Sequence, residues 1–220
     1  MVVDGKQRKV LICCFGSRGD VQPFAALARG LQDSNYNVLG MTNINDGTSI
    51  FTSLGVSAEG VHFDMAEFLR EDPNMKRALE TGSALQFGLN MSKQFANRFP
   101  TEFKSQWKVA NDFQPELIIS TTLIWFQASA IGQALRIPVL HADLGPFSFL
   151  PISRNTQTEM HEPKWLHKLS SFLMVTAMTM SLKDKNKDGE ILLDTMREVL
   201  KDTIPKAEHL LGQSAGQHAR

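Results

Sequence analysis

The sequence predicts an α/β fold with a doubly wound parallel sheet, and three observations carry that expectation. Short continuous apolar runs at residues 9–15, 116–121 and 137–142 have the pattern of strands buried on both faces. Segments with apolar residues at helical spacing lie between such runs. A glycine turn at Gly16 joins the first run to the first helical segment, which is the opening of a βαβ unit.

Taken in order, residues 9–15 form the first strand, ended by Gly16. Phe24, Leu27, Ala28 and Leu31 then recur on one helical face, with Pro23 expected in the first turn, where its missing N–H is no loss. Residues 37–42 read as a second strand, 48–54 as a short helix stopped at Gly55, and 56–61 as a weaker third strand. Residues 65–112 are helical in composition but interrupted by Pro73, Gly82, Gly88 and Pro100; this is long for one crossover and suggests an embellished connection forming a pocket wall. Residues 116–121, 124–135 and 137–142 supply a fourth strand, a helix and a fifth strand.

Right-handed crossovers then give the strand order 3-2-1-4-5, with ligands gathering at the carboxyl ends of the strands. Beyond Pro151 the strand pattern stops, and residues 164–182 and 191–201 read as two helices around a charged loop. The expected organisation is a Rossmann-like domain at 8–151, a C-terminal helical extension at 152–205 and a disordered tail at 206–220.

Composition narrows the function. Lys+Arg and Asp+Glu are equal at 23 each, and no basic run is present, which argues against nucleic acid as a partner. The two cysteines, Cys13 and Cys14, are adjacent in an apolar run and point to opposite faces of a strand, so a disulfide between them is strained and a reducing, cytoplasmic setting is expected. Residues 1–9 carry charge without an apolar core, so no secretory signal is expected. Residues 169–182 are too short to span a bilayer, though suited to peripheral contact with a membrane.

The motif with chemical content is Gly16-Ser17-Arg18-Gly19-Asp20-Val21-Gln22-Pro23, at the end of the first strand. It lacks the G-x-G-x-x-G spacing of a dinucleotide fingerprint and the Gly-Lys-Ser/Thr of a P-loop, so neither NAD nor ATP binding is supported. Followed by Phe24-Ala25-Ala26-Leu27-Ala28, it resembles the opening of UDP-glucose:sterol glucosyltransferases and the related glycopeptide-antibiotic glycosyltransferases, which have the GT-B fold. Gln114-Pro115-Glu116-Leu117-Ile118-Ile119-Ser120 and Leu135-Arg136-Ile137-Pro138-Val139 are similar to later strands of that family, and the likeness covers about two-thirds of the chain loosely.

The resemblance implies the acceptor-binding, N-terminal lobe of an inverting enzyme that transfers a hexose, glucose foremost, from a UDP-sugar to a sterol or other lipophilic hydroxyl. It implies no cofactor held by this lobe, with the UDP-sugar entering as co-substrate through a C-terminal lobe that this chain does not contain. The family's general base falls on Asp20, whose carboxylate would take the acceptor's proton; the competing reading is a helix N-cap. Ser17, Arg18 and Gly19 share that loop, Arg18 either meeting a phosphate or sugar oxygen or lying in solvent. Thr121 and Thr122 end the fourth strand, as crevice hydroxyls or turn residues. His141 and Asp143 end the fifth, and Phe147 and Phe149 beyond them suit an apolar acceptor or a core. Where many relatives have Gly-His before the second strand and Thr-His after it, this chain has Asn35-Tyr36-Asn37 and Thr42-Asn43.

A second motif, residues 184–191, matches the first eight positions of an EF-hand loop. Position twelve is Thr195 rather than a bidentate Glu, so no metal is expected. A binding module for lipophilic ligands without the donor lobe is the alternative to the enzyme, and a calcium-responsive adaptor is a third.

Overall fold

The computed structural model describes residues 7–142, together with residues 144, 194, 198 and 199. Residues 194, 198 and 199 apart, the C-terminal extension with its calcium-loop motif and the tail lie outside them, as do Asp143, Phe147 and Phe149.

Five strands, β1 (Lys9–Cys13), β2 (Asn37–Asn43), β3 (Ser57–His62), β4 (Leu117–Ser120) and β5 (Val139–His141), form one sheet in the order β3-β2-β1-β4-β5. Every pair is parallel, as the alternation of strands and helices in the sequence requires. β1 is central, with Leu11 in register with Leu39 on one side and Ile118 on the other.

Alternation along β1 builds two cores. Leu11, Cys13 and Phe15 face one side, where α5 (Ala84–Phe113) and α6 (Trp125–Leu135) contribute Phe99, Phe103, Ala128 and Ile131. Val10, Ile12 and Cys14 face the other, covered by Val21, Phe24, Ala25 and Ala28 of α1 (Arg18–Asp33) and Phe51 of α2 (Asp46–Ser53). Each fully buried Leu, Ile or Phe contributes roughly 1.5–3 kcal/mol, so the two-sided burial of β1 makes it the fixed reference from which the following turn projects. Cys13 and Cys14 are free thiols, one in each core, as their adjacency in a strand dictates.

The layers approach closely at Gly40, where a Cβ would stand 2.6 Å from the Phe51 ring. Between β3 and β4 the chain makes α3 (Met65–Glu71), α4 (Pro73–Glu80) and the 30-residue α5. Asp72 starts α4 by accepting from the amides of Asn74 and Met75, with Pro73 at the first helical position.

Two expectations are corrected. Gly88 and Pro100 do not break α5, which runs through both. The Phe99 and Phe103 rings stack at 5.5 Å across the proline, and burial of that face outweighs the one lost backbone hydrogen bond. Likewise, α1 begins at Arg18, so Pro23 lies inside the helix and not in its first turn. The helix expected at 124–135 is α6, beginning at Trp125 after a 3₁₀ turn at Thr122–Ile124, and the third strand is shifted by one residue. Among the described residues no helix is long and apolar enough to cross a membrane.

Candidate active site at the β1–α1 turn

The turn after β1 is shaped by one glycine. Gly16 has φ +138°, and a Cβ there would stand 2.8 Å from both Cβ and Cγ of Asp20, and closer still to Oδ2. The second glycine differs: a Cβ on Gly19 would make only an ordinary 3.7 Å contact with Ser17 Oγ. Gly16 is therefore required by backbone and space together, whereas Gly19 is not.

Ser17 is the N-cap of α1, and Asp20 is the third residue of the helix. The Asp20 Oδ2 accepts hydrogen bonds from the Ser17 amide and the Ser17 hydroxyl, each at 2.8 Å. This corrects the N-cap reading of Asp20: its carboxylate reaches back to the cap residue, as the acidic partner of a capping box does. The amino end of α1 complements negative charge at that point. The half-buried Asp20 keeps Oδ1 without a hydrogen bond to any described residue. Arg18 is exposed, and its Nε donates to Gln22 Oε1, one turn along, at 3.1 Å.

The turn is also held from β2. Asn43, at the end of that strand and 2% exposed, accepts from the Gly16 amide through Oδ1 (3.3 Å) and donates through Nδ2 to the Gly16 carbonyl (2.6 Å). Below it, the Cys14 thiol lies 3.7 Å from Thr42 Oγ1. Burial pushes the Cys14 thiol up to about 12, eased by the Thr42 hydrogen bond and raised further by the Asp20 charge. Burial, with the neighbouring Cys14, pushes Cys13 well above the ordinary thiol range. Neither is a nucleophile in this state.

On the other side of β1, the Thr121 amide donates to Cys13 O (3.1 Å), which extends the β1–β4 ladder. Its hydroxyl is buried with no hydrogen-bond partner among the described residues. Thr122 is turned away, to His141 Nε2 at 3.3 Å, and the exposed His141 meets Trp125 edge-on at 6.1 Å between ring centres. The structure thus brings Ser17 and Asp20 together at the β1 turn and places Thr122 and His141 in a separate pair near β5.

Sequence reasoning missed a buried pair at the end of β3. His62 Nδ1 lies 3.1 Å from Glu102 Oε2, and Glu102 Oε1 accepts from the Phe63 amide at 3.1 Å. The Phe15 ring, directly before Gly16, is 4.8 Å from the His62 ring and makes edge contacts with Phe63 and Phe95. A strand-end His and a helix Glu forty residues apart give no spacing signal; only the tertiary fold joins them. A cleft of about 330 Å³ between α4 and α5 is lined by Asn74, Arg77, Gln86, Leu89 and Asn90, and none of the candidate residues among those described lines it. Among the described residues no cluster of three or more His, Cys, Asp or Glu side chains could hold a metal ion.

Comparison with known proteins finds glycosyltransferases, one by sequence and others by fold. No family model matches the chain. UDP-sugar-dependent glycosyltransferase 52 of Dictyostelium discoideum is 27% identical over 143 residues, 65% of this chain and 8% of that protein. Among solved structures, glycosyltransferase VinC in complex with DTDP matches with a TM-score of 0.50 at 16% identity, over 92% of this chain and 46% of that one. The calicheamicin glycosyltransferase CalG4 matches with a TM-score of 0.51 at 11% identity, over 94% of this chain and 44% of that one. The chain therefore spans under half the length of these proteins, shares the α/β fold of a GT-B glycosyltransferase half, and is similar in sequence to a UDP-sugar-dependent glycosyltransferase.

Proposed function

We propose that this chain is the acceptor-binding, N-terminal half of an inverting UDP-sugar-dependent glycosyltransferase, acting on a sterol or other lipophilic hydroxyl, with Asp20 as general base. The observation that carries the reading is the position of Asp20. Its carboxylate stands at the carboxyl end of the central strand, where ligands of open α/β sheets gather, with one oxygen tied to Ser17 and the other unengaged among the described residues. The likeness to a UDP-sugar-dependent glycosyltransferase supplies the reaction class.

In the proposed step, Oδ1 of Asp20 takes the acceptor's hydroxyl proton as that oxygen forms a bond to the anomeric carbon. The bond from that carbon to the UDP oxygen breaks, UDP leaves with the electron pair, and configuration inverts. General-base assistance of this kind contributes about 10²–10⁴ in rate. Ser17 fixes the geometry by holding Oδ2, and a helix terminus is a rigid mount for a group that must stay within hydrogen-bond reach of the acceptor. The UDP-sugar would be bound by a second lobe, in the same chain or another.

The test is transfer of labelled glucose from UDP-glucose to a sterol panel, using this chain with and without the donor lobe of a related enzyme. Transfer that needs the added lobe and is lost in Asp20→Asn supports the reading. Sterol binding with no transfer under either condition would replace it with a binding module.

A further inference from the structure

We infer that Asn43 is the residue that positions Asp20, by fixing the backbone of Gly16 from the end of the neighbouring strand; the catalytic meaning of this rests on Asp20 being the general base. The backbone ladder between β1 and β2 ends with the Cys14 amide on Met41 O at 3.0 Å. Two residues further on, Gly16 has left extended geometry, at φ +138°, and its amide and carbonyl are held by the Asn43 side chain. A carboxamide carries an acceptor and a donor on one carbon, so it can satisfy both backbone groups of a single residue. Its orientation follows from its partners: the Gly16 N–H faces Oδ1 and the Gly16 carbonyl faces Nδ2.

Asn43 sits at the end of β2, where the β2–β3 register shifts between Thr42 and Asn43. Both of its polar atoms are engaged with Gly16, and burying an amide is unfavourable unless it is hydrogen-bonded. A residue that merely filled space would not need them. Once Gly16 is fixed, the carboxylate of Asp20 lies over the face where Gly16 lacks a Cβ, and the next residue, Ser17, donates its amide and hydroxyl to it. Asn43, Gly16 and Asp20 thus form one continuous linkage from the sheet to the proposed base.

The experiment is amide hydrogen exchange and the ¹³Cγ resonance of Asp20 by NMR on the full chain, for wild type, Asn43→Ala and Asn43→Asp. Asn43→Asp keeps the volume and an acceptor but replaces the donor with a carboxylate oxygen facing the Gly16 carbonyl, adding a negative charge at a buried position. Both variants are expected to speed exchange of the Ser17 amide on the order of tenfold and to shift the Asp20 resonance, while β1 and β2 amides keep their protection. In the transfer assay both are expected to lower kcat on the order of tenfold with the acceptor KM unchanged. Where loss of strand protection shows that Asn43→Asp does not fold, Asn43→Ser is held to the same outcomes. Unchanged Ser17 exchange and an unmoved Asp20 resonance in a folded Asn43→Ala chain would overturn the inference. The NMR readouts do not depend on activity, so a wild type inactive with every acceptor sinks the transferase reading and leaves the placement of Asp20 by Asn43 to be judged on them alone.

Discussion

The Asp20 carboxylate occupies the space that a side chain on Gly16 would need. That relationship ties a backbone requirement to a chemical group: the turn admits the carboxylate only because position 16 is glycine. Gly16→Ala is expected to destabilise the fold by roughly 1–3 kcal/mol through backbone strain and to displace Asp20. Gly19→Ala, in ordinary helical geometry with room for a methyl, is expected to stabilise by about 0.4–1 kcal/mol. Urea unfolding of the two variants separates them, and equal effects would show that the turn does not discriminate between its glycines.

A second prediction concerns the buried pair beneath the aromatic cluster. Glu102→Ala leaves the Phe63 amide and the His62 ring without their acceptor, at roughly 1–3 kcal/mol for each group. Glu102→Gln keeps one acceptor oxygen and is expected to cost about half as much. Thermal unfolding would show this order, and tolerance of Ala equal to Gln would mean that the pair contributes nothing beyond its volume.

The two thiols make stability depend on alkaline pH. Both hold their protons more tightly in the fold than in the unfolded chain, where the ordinary thiol value is 9.0. Between that value and about 12, where the folded Cys14 titrates, the unfolded chain has released protons that the fold retains, so stability falls as pH rises. The slope is on the order of 1.4 kcal/mol per pH unit for each thiol. Urea midpoints at about pH 8 and about pH 10 are expected to fall more steeply for wild type than for a Cys13→Ala, Cys14→Ala double variant, and identical slopes would contradict the burial account.

The sheet was legible because its signals are local. Apolar runs at residues 9–15 and 116–121 and the turn at Gly16 each depend on neighbouring residues, and they suffice for the strand order. The helical connection was less so, because Gly88 and Pro100 are local breakers overridden by the burial of Phe99 and Phe103 on α5. In the candidate site the motif pointed to Asp20 but not to Ser17 as its N-cap partner, since both residues favour helix starts. Asn43 read only as a departure from the pattern of relatives, although the fold makes it the clamp on Gly16. His62 and Glu102 were invisible because their contact spans forty residues.

The measurement that tests the central claim most directly is the rate of glucose transfer from UDP-glucose to a sterol by this chain with a donor lobe supplied, wild type against Asp20→Asn. Asparagine keeps the shape and an acceptor for Ser17 but cannot take the proton. The account predicts a fall in kcat of about 10²–10⁴ with acceptor binding retained; transfer by Asp20→Asn at the wild-type rate would contradict it.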